Sequence, residues 1–167
     1  ISVRRIRLHE GALYKSVRLA SLSDSPDAFM TTFEDASSRS MDSWNAQADG
    51  SAVGTDRSIL VAFIDDAPVG IAALYRDDLN RDLGELLQVW VHPDHRGGPA
   101  AAELIEGVVS LAGTHGFKRI DAWVNEGNER AARFYRKHGF ELTNETQPCR
   151  QGSDIGSRLM IRRISSG

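Results

Sequence analysis

The sequence is poor in the features that mark secreted or membrane-spanning proteins. Its 167 residues include one cysteine, Cys149, so no disulfide can form within the chain and a reducing, cytoplasmic setting is expected. No apolar run approaches the roughly 20 residues needed to cross a bilayer, and no basic segment followed by a hydrophobic run opens the chain. We therefore expect neither a membrane span nor a secretion signal.

An excess of charge of one sign is also missing. Twenty Lys and Arg side chains against 23 Asp and Glu give a formal net charge of -3. This balance provides no overall positive field that would hold a polyanion, so nucleic acid is not an expected partner. A cationic substrate is slightly easier to accommodate.

What is present is the composition of an ordinary globular domain. Hydrophobic residues make up 41% of the chain and charged residues 26%. A chain of this length is expected to bury about 70% of its unfolded surface. We therefore predict one domain spanning residues 1–167, with no need for a disulfide or a structural metal.

The periodicity of the apolar residues changes several times, which indicates mixed α and β structure. Strands are predicted at residues 3–8, 58–64, 69–74, 83–91, 119–124, 140–143 and 157–164. Helices are predicted around Leu13, Val17 and Ala20, from Ser25-Pro26 through Phe29 and Phe33, around Trp44, after Pro99, and from Asn128 to a C′ residue at Gly139. The polar segment 144–156 is predicted to be a surface loop near a binding site.

The strand at 83–91, a Gly-rich turn, a helix and the strand at 119–124 form a predicted βαβ unit with parallel strands. The turn reads Arg96-Gly97-Gly98-Pro99-Ala100-Ala101. Such a turn gathers backbone N–H groups at the positive end of a helix, where a pyrophosphate can bind. It matches neither Gly-x-Gly-x-x-Gly nor a P-loop, and taken alone it also fits a plain connection.

Two ordered stretches carry a resemblance to a known family. Residues 85–98 read Glu-Leu-Leu-Gln-Val-Trp-Val-His-Pro-Asp-His-Arg-Gly-Gly, and residues 128–140 contain Asn-x-x-Ala-x-x-Phe-Tyr followed by Gly-Phe. Together they resemble the acetyl-CoA-binding core of the GNAT superfamily of N-acetyltransferases, most densely over residues 83–142. The resemblance implies an α+β, single-domain acyl-CoA N-acyltransferase fold, with a central mixed, mostly antiparallel sheet and helices on both faces.

The resemblance also implies acetyl-CoA as co-substrate and no metal. It places the pantetheine arm along Val89, Trp90 and Val91, the pyrophosphate on Arg96, Gly97, Gly98, Ala100 and Ala101, and further contacts on Asn128, Ala131 and Tyr135. Pro99 stands where the family usually has glycine. Because proline has no N–H, one phosphate hydrogen bond is lost unless Pro99 lies at the first helical position, where the missing donor costs little.

Two residues are candidates for proton transfer. The resemblance implies Glu85 as general base, directly or through water, and Tyr135 as general acid for the leaving thiolate. Glu85 is also compatible with a solvated carboxylate at a strand end, or with one that simply attracts a cationic amine. From the helical spacing alone, Tyr135 is interpreted as a core or rim aromatic, and it is the motif around it that favours the catalytic role.

Other polar groups lead to weaker hypotheses. His92, Asp94 and His95 offer no fixed face for a metal, and Cys149 has no activating neighbour in sequence, so it is interpreted as an incidental thiol. A basic helical face could contact the CoA 3′-phosphate or remain solvated. It consists of Arg130, Arg133, Arg136 and Lys137.

The sequence thus predicts an N-acetyltransferase that moves acetyl from acetyl-CoA to a primary amine by direct attack in a ternary complex. The acceptor is a small-molecule amine or a protein amine, and a homodimer is left open. The alternatives are a non-catalytic acyl-CoA-binding or sensing module of the same fold and, less compatible with the turn, a doubly wound nucleotide-binding domain. The acceptor cleft is expected at Phe29, Thr32, Phe33, Tyr75 and segment 144–156.

Overall fold

The computed structural model describes residues 1–148 and 156–165, and within them the chain forms seven strands and five α-helices. The strands are β1 (Ser2–Arg5), β2 (Arg57–Ile64), β3 (Ala67–Arg76), β4 (Leu83–Val91), β5 (Arg119–Asn125), β6 (Glu141–Pro148) and β7 (Gly156–Arg163). The helices are α1 (Gly11–Asp24), α2 (Phe33–Ser37), α3 (Met41–Gly50), α4 (Ala100–Thr114) and α5 (Glu129–Lys137). Cys149 lies outside the described residues.

All the strands belong to one sheet in the order β1-β2-β3-β4-β5-β7-β6. Only β4 and β5 pair in parallel, and every other neighbouring pair is antiparallel. This confirms the mixed, mostly antiparallel sheet and the parallel strands on either side of α4. None of the helices in the described ranges combines the length and the apolar character needed to cross a bilayer.

The sheet separates two hydrophobic clusters, so helices cover both of its faces as predicted. On one face α4 packs through Leu104, Ile105 and Val108. On the other face α1 and α3 pack through Tyr14 and Trp44, whose rings meet edge to face at 5.3 Å. Burial of each large apolar side chain contributes about 1.5–3 kcal/mol, and the sheet is held from both sides.

The predicted helix through Phe29 and Phe33 is wrong. Residues Pro26–Ala28 form only a 3-10 turn, and Phe29 is extended, with φ -128° and ψ 152°. A separate short helix, α2, begins after Thr32, whose side chain accepts a hydrogen bond from the Asp35 N–H at 3.2 Å. Since an N-cap residue starts a new helix, Thr32 separates the two aromatic residues that the prediction had joined.

The predicted apolar face of α1 is wrong at one position. Ala20 is exposed, whereas the buried residues include Tyr14, Val17 and Leu22. Tyrosine and leucine bury much more apolar surface than alanine, so the helix turns these side chains toward the sheet. Arg18 is buried on the same helix, which no apolar spacing could reveal.

The predicted irregular segment 144–156 is wrong in its first part. Strand β6 does not end at residue 143 but continues to Pro148, paired with β7 in a register that shifts between Leu142 and Thr146. As the outermost strand it is mostly exposed, so its sequence is polar and shows no alternation. A proline is tolerated there because an edge strand leaves some N–H groups without a partner strand.

Candidate functional site

The candidate site lies where β4 and β5 separate. Their parallel register runs from Leu83 and Arg119 to Leu86 and Ala122, and it records no further pair in the described residues. Residues 87–91 and 123–125 therefore flank a gap in the middle of the sheet. Such an unpaired strand edge offers backbone N–H and C=O groups to an extended ligand.

A β-bulge in β4 accompanies this gap. Ile71 and Ala73 of β3 are two positions apart, but their partners in β4, Trp90 and Leu87, are three positions apart. Strand β4 therefore carries one extra residue here. Gln88, within the bulge, has a φ of 60°, and its side-chain oxygen accepts a hydrogen bond from the Tyr14 hydroxyl at 2.9 Å. Because a bulge bends a strand and increases its twist, β4 turns away from β5 here.

Backbone groups of β4 alternate between β3 and the gap. The His92 N–H donates to the Val69 carbonyl at 2.8 Å. Hydrogen-bonded and non-hydrogen-bonded pairs alternate along an antiparallel ladder, so the pair of Trp90 with Ile71, two positions back on β4, is hydrogen-bonded as well. The N–H and C=O of Val91 then face the gap, where the carbonyl accepts from Arg96 Nε at 3.0 Å. The Val91 carbonyl is thus occupied, and the Val91 N–H is the group of this residue that faces into the gap.

A cavity of about 520 Å³, which we call the basic cavity, lies between β4, the turn before α4, and α5. Its charged lining residues within the described ranges are Arg96, Arg130 and Lys137, with no carboxylate among them. It brings together most of the residues predicted to bind the cofactor. These are Val89, Trp90, Val91, Arg96, Gly97, Gly98, Ala101, Asn128, Ala131 and Tyr135.

The turn before α4 presents backbone donors to the basic cavity. Gly97 has a φ of 84°, which glycine adopts without strain. The first intrahelical hydrogen bond of α4 runs from the Glu103 N–H to the Pro99 carbonyl at 3.0 Å. The N–H groups of residues 100–102 therefore precede that bond and have no acceptor within the helix. This end of a helix favours an anion.

Two predicted positions in this turn differ in detail from expectation. Pro99 is the N-cap of α4, with φ -80° and ψ -8°, rather than its first helical residue. Ala100 packs its side chain into the core and can contribute only its N–H, whereas Ala102, which the motif did not single out, lines the cavity.

Asp24, at the end of α1, ties this region together. Its Oδ2 accepts hydrogen bonds from Trp90 Nε1 at 2.9 Å, Ser25 Oγ at 2.7 Å and Arg96 Nη2 at 2.5 Å. The Trp90 indole foremost, together with Ser25 and Arg96, lowers the pKa of the Asp24 carboxyl to about 2. Asp24 thus positions Arg96, a role that no sequence spacing indicated.

Helix α5 contributes its first turn and Tyr135. The Asn128 side chain accepts from the Ala131 N–H at 3.1 Å, which confirms the predicted N-cap. The Tyr135 ring packs against Phe134 and Phe140, with centroids 5.4 Å and 5.3 Å apart. Burial raises the pKa of the Tyr135 hydroxyl, so it stays protonated at neutral pH.

A second cavity of about 330 Å³, which we call the mixed cavity, adjoins the basic cavity. Its charged lining residues in the described part of the chain are one of each sign, Glu85 and Arg18. The residues that line both cavities are Ala28, Phe29, Val89, Asn128, Ala131 and Tyr135. Tyr135 is therefore at the boundary between the two spaces.

Glu85 is half-buried on β4 and has no hydrogen bond or ion pair with any described residue. Burial raises the pKa of its carboxyl, and the negative charges of Asp121 and Asp77 raise it further. Asp121 is its partner in the parallel register. A carboxylate with a raised pKa and no internal partner is suited to accept a proton from a bound molecule.

The residues expected to form the acceptor cleft are only partly brought together. Phe29 lines both cavities, but Thr32, Phe33 and Tyr75 line neither of them. From segment 144–156, Gln147 alone of the described residues reaches the mixed cavity. The residues that the sequence did not indicate are Arg18, Met30, Thr31, Gln88, Trp123, Asn125 and Ser157, which are distant in the chain and carry no shared motif.

The weaker candidates were the histidines before α4 and the basic face of α5. The Nδ1 atom of His92 accepts a hydrogen bond from the Asp94 N–H at 3.1 Å. In the part of the chain that the structure describes, no group of three or more His, Cys, Asp or Glu side chains is placed to hold a metal ion. Of the basic face of α5, Arg130 and Lys137 line the basic cavity, but Arg133 and Arg136 do not.

Comparison with known proteins agrees with this geometry. The sequence model of the acetyltransferase (GNAT) family matches residues 17–140. Uncharacterised N-acetyltransferases of Mycobacterium bovis and Mycobacterium tuberculosis are 41% identical to this chain over 109 residues, which are 65% of this chain and 68% of each relative.

Solved structures show the same fold. A GNAT-family acetyltransferase from Streptococcus pneumoniae superposes with a TM-score of 0.81 at 19% identity, covering 98% of this chain and 99% of that one. The PaiA N-acetyltransferase from Thermoplasma acidophilum, solved with coenzyme A, has a TM-score of 0.73 at 18% identity, covering 97% and 98%. The yncA protein of Salmonella typhimurium, solved with acetyl-CoA, has a TM-score of 0.74 at 16% identity, covering 99% and 95%.

Proposed function

The chain belongs to the acetyltransferase (GNAT) family, and we propose that it transfers the acetyl group of acetyl-CoA to a primary amine by direct attack in a ternary complex. The observation that carries the proposal is the gap between β4 and β5. It joins a cavity lined by cations to a cavity that contains Glu85, with Tyr135 at their boundary. A thioester held at that boundary is open to an amine from the mixed cavity.

The basic cavity fits the co-substrate acetyl-CoA. Its pyrophosphate would bind the free N–H groups at the start of α4, and its pantetheine arm would pair with the edge of β4 at Val89 and Val91. Arg130 and Lys137 supply positive charge for the remaining phosphate. The Val91 N–H is the donor in reach of the gap for the carbonyl oxygen of the thioester.

Glu85 takes the proton that the acceptor must lose. An alkyl ammonium with a pKa near 10.4 costs about 4.6 kcal/mol to deprotonate at pH 7. A positioned base accepts the amine proton as the carbon–nitrogen bond forms, an effect worth about 10²–10⁴-fold in rate. The raised pKa of Glu85 brings it closer to the operating pH, where a general base is most effective. The amine lone pair then forms the bond to the carbonyl carbon.

Tyr135 supplies a proton to the CoA sulfur as the carbon–sulfur bond breaks. Its raised pKa keeps the hydroxyl protonated until that moment, and solvent restores the proton afterwards. The ammonium loses two protons in total. One is balanced by the thiol that leaves and the other passes through Glu85 to solvent, so the products are an amide, CoA and one proton.

Two glycine variants test the placement of the co-substrate. Gly98→Glu adds a negative charge in the turn before α4, and Gly50→Glu adds the same charge at the end of α3; both glycines have room for a Cβ and ordinary backbone angles. By isothermal titration calorimetry we expect the first change to weaken acetyl-CoA binding at least tenfold, about 1.4 kcal/mol, and the second to leave it unchanged. Equal affinities in both variants would contradict the placement.

Thiol release from acetyl-CoA in the presence of amines tests catalysis separately. We expect release that depends on the amine and on Glu85. A protein that binds acetyl-CoA but releases no thiol with any amine would be the binding or sensing module of the same fold.

A further inference from the structure

Arg18 is the least expected residue of the mixed cavity. It lies in the middle of α1 and is only 6% exposed, yet it lines the cavity together with Glu85. Arginine is rarely buried without a partner, because removing its charge from water is costly. Its surroundings therefore indicate what the cavity is built to receive.

Within residues 1–148 and 156–165, no carboxylate forms an ion pair with this charge. Among these residues, the Arg18 Nη1 donates one hydrogen bond, to Ser21 Oγ at 3.2 Å. Its guanidinium lies over the Phe29 ring, with Cζ 4.6 Å from the centroid. A guanidinium has five N–H donors in a planar fork that matches a carboxylate, and most of these donors are left unused.

The charges of the mixed cavity match a molecule that carries both signs. Arg18 is the cation and Glu85 the anion, and the two are not paired with each other. Neutral polar side chains from three other segments complete the lining, namely Thr31, Asn125 and Ser157. At about 330 Å³ the cavity is near the lower end of the range of roughly 300–1,000 Å³ for ligand pockets, which favours a small acceptor.

Resting on the proposed function, we propose that the acceptor is a small amino acid, whose carboxylate binds the Arg18 guanidinium while its amine faces Glu85. The carboxylate would supply the counterion that Arg18 does not find among the described side chains. Burial lowers the pKa of Arg18, which remains protonated and cationic at neutral pH. A protein N-terminus or a polyamine carries no carboxylate beside the reacting amine and would leave Arg18 unpaired.

The experiment compares acids with their amides. The twenty protein amino acids, β-alanine and γ-aminobutyrate are offered to the acetyl-CoA-loaded protein, each beside its carboxamide, and thiol release is measured. For the best acceptor we expect kcat/KM at least tenfold higher for the acid than for the amide. Arg18→Gln should remove this preference mainly through KM, and Arg18→Lys should restore part of it.

Arg39→Gln is the matched control. Arg39 also lies over an aromatic ring, that of Trp44 at 4.0 Å, and it lines neither cavity, so its loss removes the same charge from the same region. We expect this variant to keep the preference for the acid. The acid and amide comparison in the unmodified protein stands even if Arg18→Gln does not fold.

Several outcomes would overturn the inference while the proposed function stands. They are transfer to spermidine or to a lysine-containing peptide but to no amino acid, equal rates for acid and amide, or an Arg18→Gln variant that keeps the preference. A protein that binds no acetyl-CoA and releases no thiol would refute the proposed function itself, and the inference with it.

Discussion

The two cavities on either side of the β4–β5 gap are built in different ways. Apart from Ser25, Ala28 and Phe29, the basic cavity is lined by residues of two short stretches, 89–102 and 128–138. The mixed cavity draws on α1, the extended segment around Phe29, and strands β4 to β7. The first is therefore a local structure that a motif can describe, whereas the second exists only when distant segments meet.

The electrostatics differ in the same way. The basic cavity has cations and free backbone N–H groups, which suit several phosphate groups at once. The mixed cavity has one charge of each sign, and neither forms an ion pair with another described side chain, which suits a ligand that carries both charges. Under the proposed function, the basic cavity provides the affinity for acetyl-CoA, and the mixed cavity provides the proton transfer and the choice of acceptor.

Glu85→Gln should remove the proposed base from the mixed cavity and leave the basic cavity unchanged. We expect kcat to fall about 10²–10⁴-fold, the usual contribution of a general base, while the affinity for acetyl-CoA is unchanged. The thermal midpoint should be equal or higher at pH 7, because a half-buried charge is removed. Thiol release and calorimetry measure both effects, with the exposed Glu106→Gln as control. An unchanged kcat would refute the role of Glu85 as general base.

Tyr135→Phe removes the hydroxyl at the boundary between the two cavities and should lower kcat less than Glu85→Gln does. A thiol of pKa near 8.5 leaves fairly well without a proton, so we expect kcat to fall about tenfold. Because the ring contacts with Phe134 and Phe140 remain, the stability should change little. Tyr75→Phe, which removes a phenol that lines neither cavity, is the comparison in the same thiol-release assay. Equal rates in the two variants would contradict the role of Tyr135 as general acid.

Asn128→Ala tests whether Asn128 contributes to acetyl-CoA binding in addition to capping α5. Loss of the N-cap should cost about 1 kcal/mol and lower the thermal midpoint by about 2–4 °C. Ser40→Ala removes the cap of α3, which accepts from the Ser43 N–H at 3.1 Å, and should cost a similar amount. Only Asn128→Ala should also weaken acetyl-CoA binding, and matching affinities would leave Asn128 as a cap alone.

Asp121→Asn gives the smallest expected effect, a displacement of the pH profile. Glu85 must be ionised to act as base, so activity falls as the pH drops through its raised pKa. Removing the negative charge of Asp121, and freeing its partner Arg119, lowers the pKa of Glu85. The acidic limb of kcat/KM should therefore move to lower pH, and less so in Asp77→Asn. A limb that moves to higher pH would contradict the assignment.

The elements with strong local signals were predictable. The strand predicted at residues 83–91, before a turn-rich segment, is β4 at its observed bounds, and Asn128 and Gly139 marked the two ends of α5. These signals act within a few residues, because a cap, a turn glycine or a period of two works through neighbouring backbone groups. For the same reason, most of the basic cavity could be named from the motif.

The remaining features depended on contacts between distant segments. The polar sequence of β6 hides a strand because pairing with β7 supplies its hydrogen bonds. Asp24 acts on Arg96, 72 positions away, through a hydrogen bond that no spacing predicts. The pKa of Glu85 depends on burial and on the neighbouring strand.

The sequence by itself therefore determined the family, through two ordered motifs, and the parallel strands of the βαβ unit with the turn between them, through local backbone chemistry. Only the tertiary structure decided which side chains line the mixed cavity, on which the proposed acceptor rests. Arg18 has the sequence context of an ordinary helical cation, which is normally exposed. Packing of α1 against Phe29 buries it in the lining of the cavity that also contains Glu85, because the guanidinium lies over the Phe29 ring.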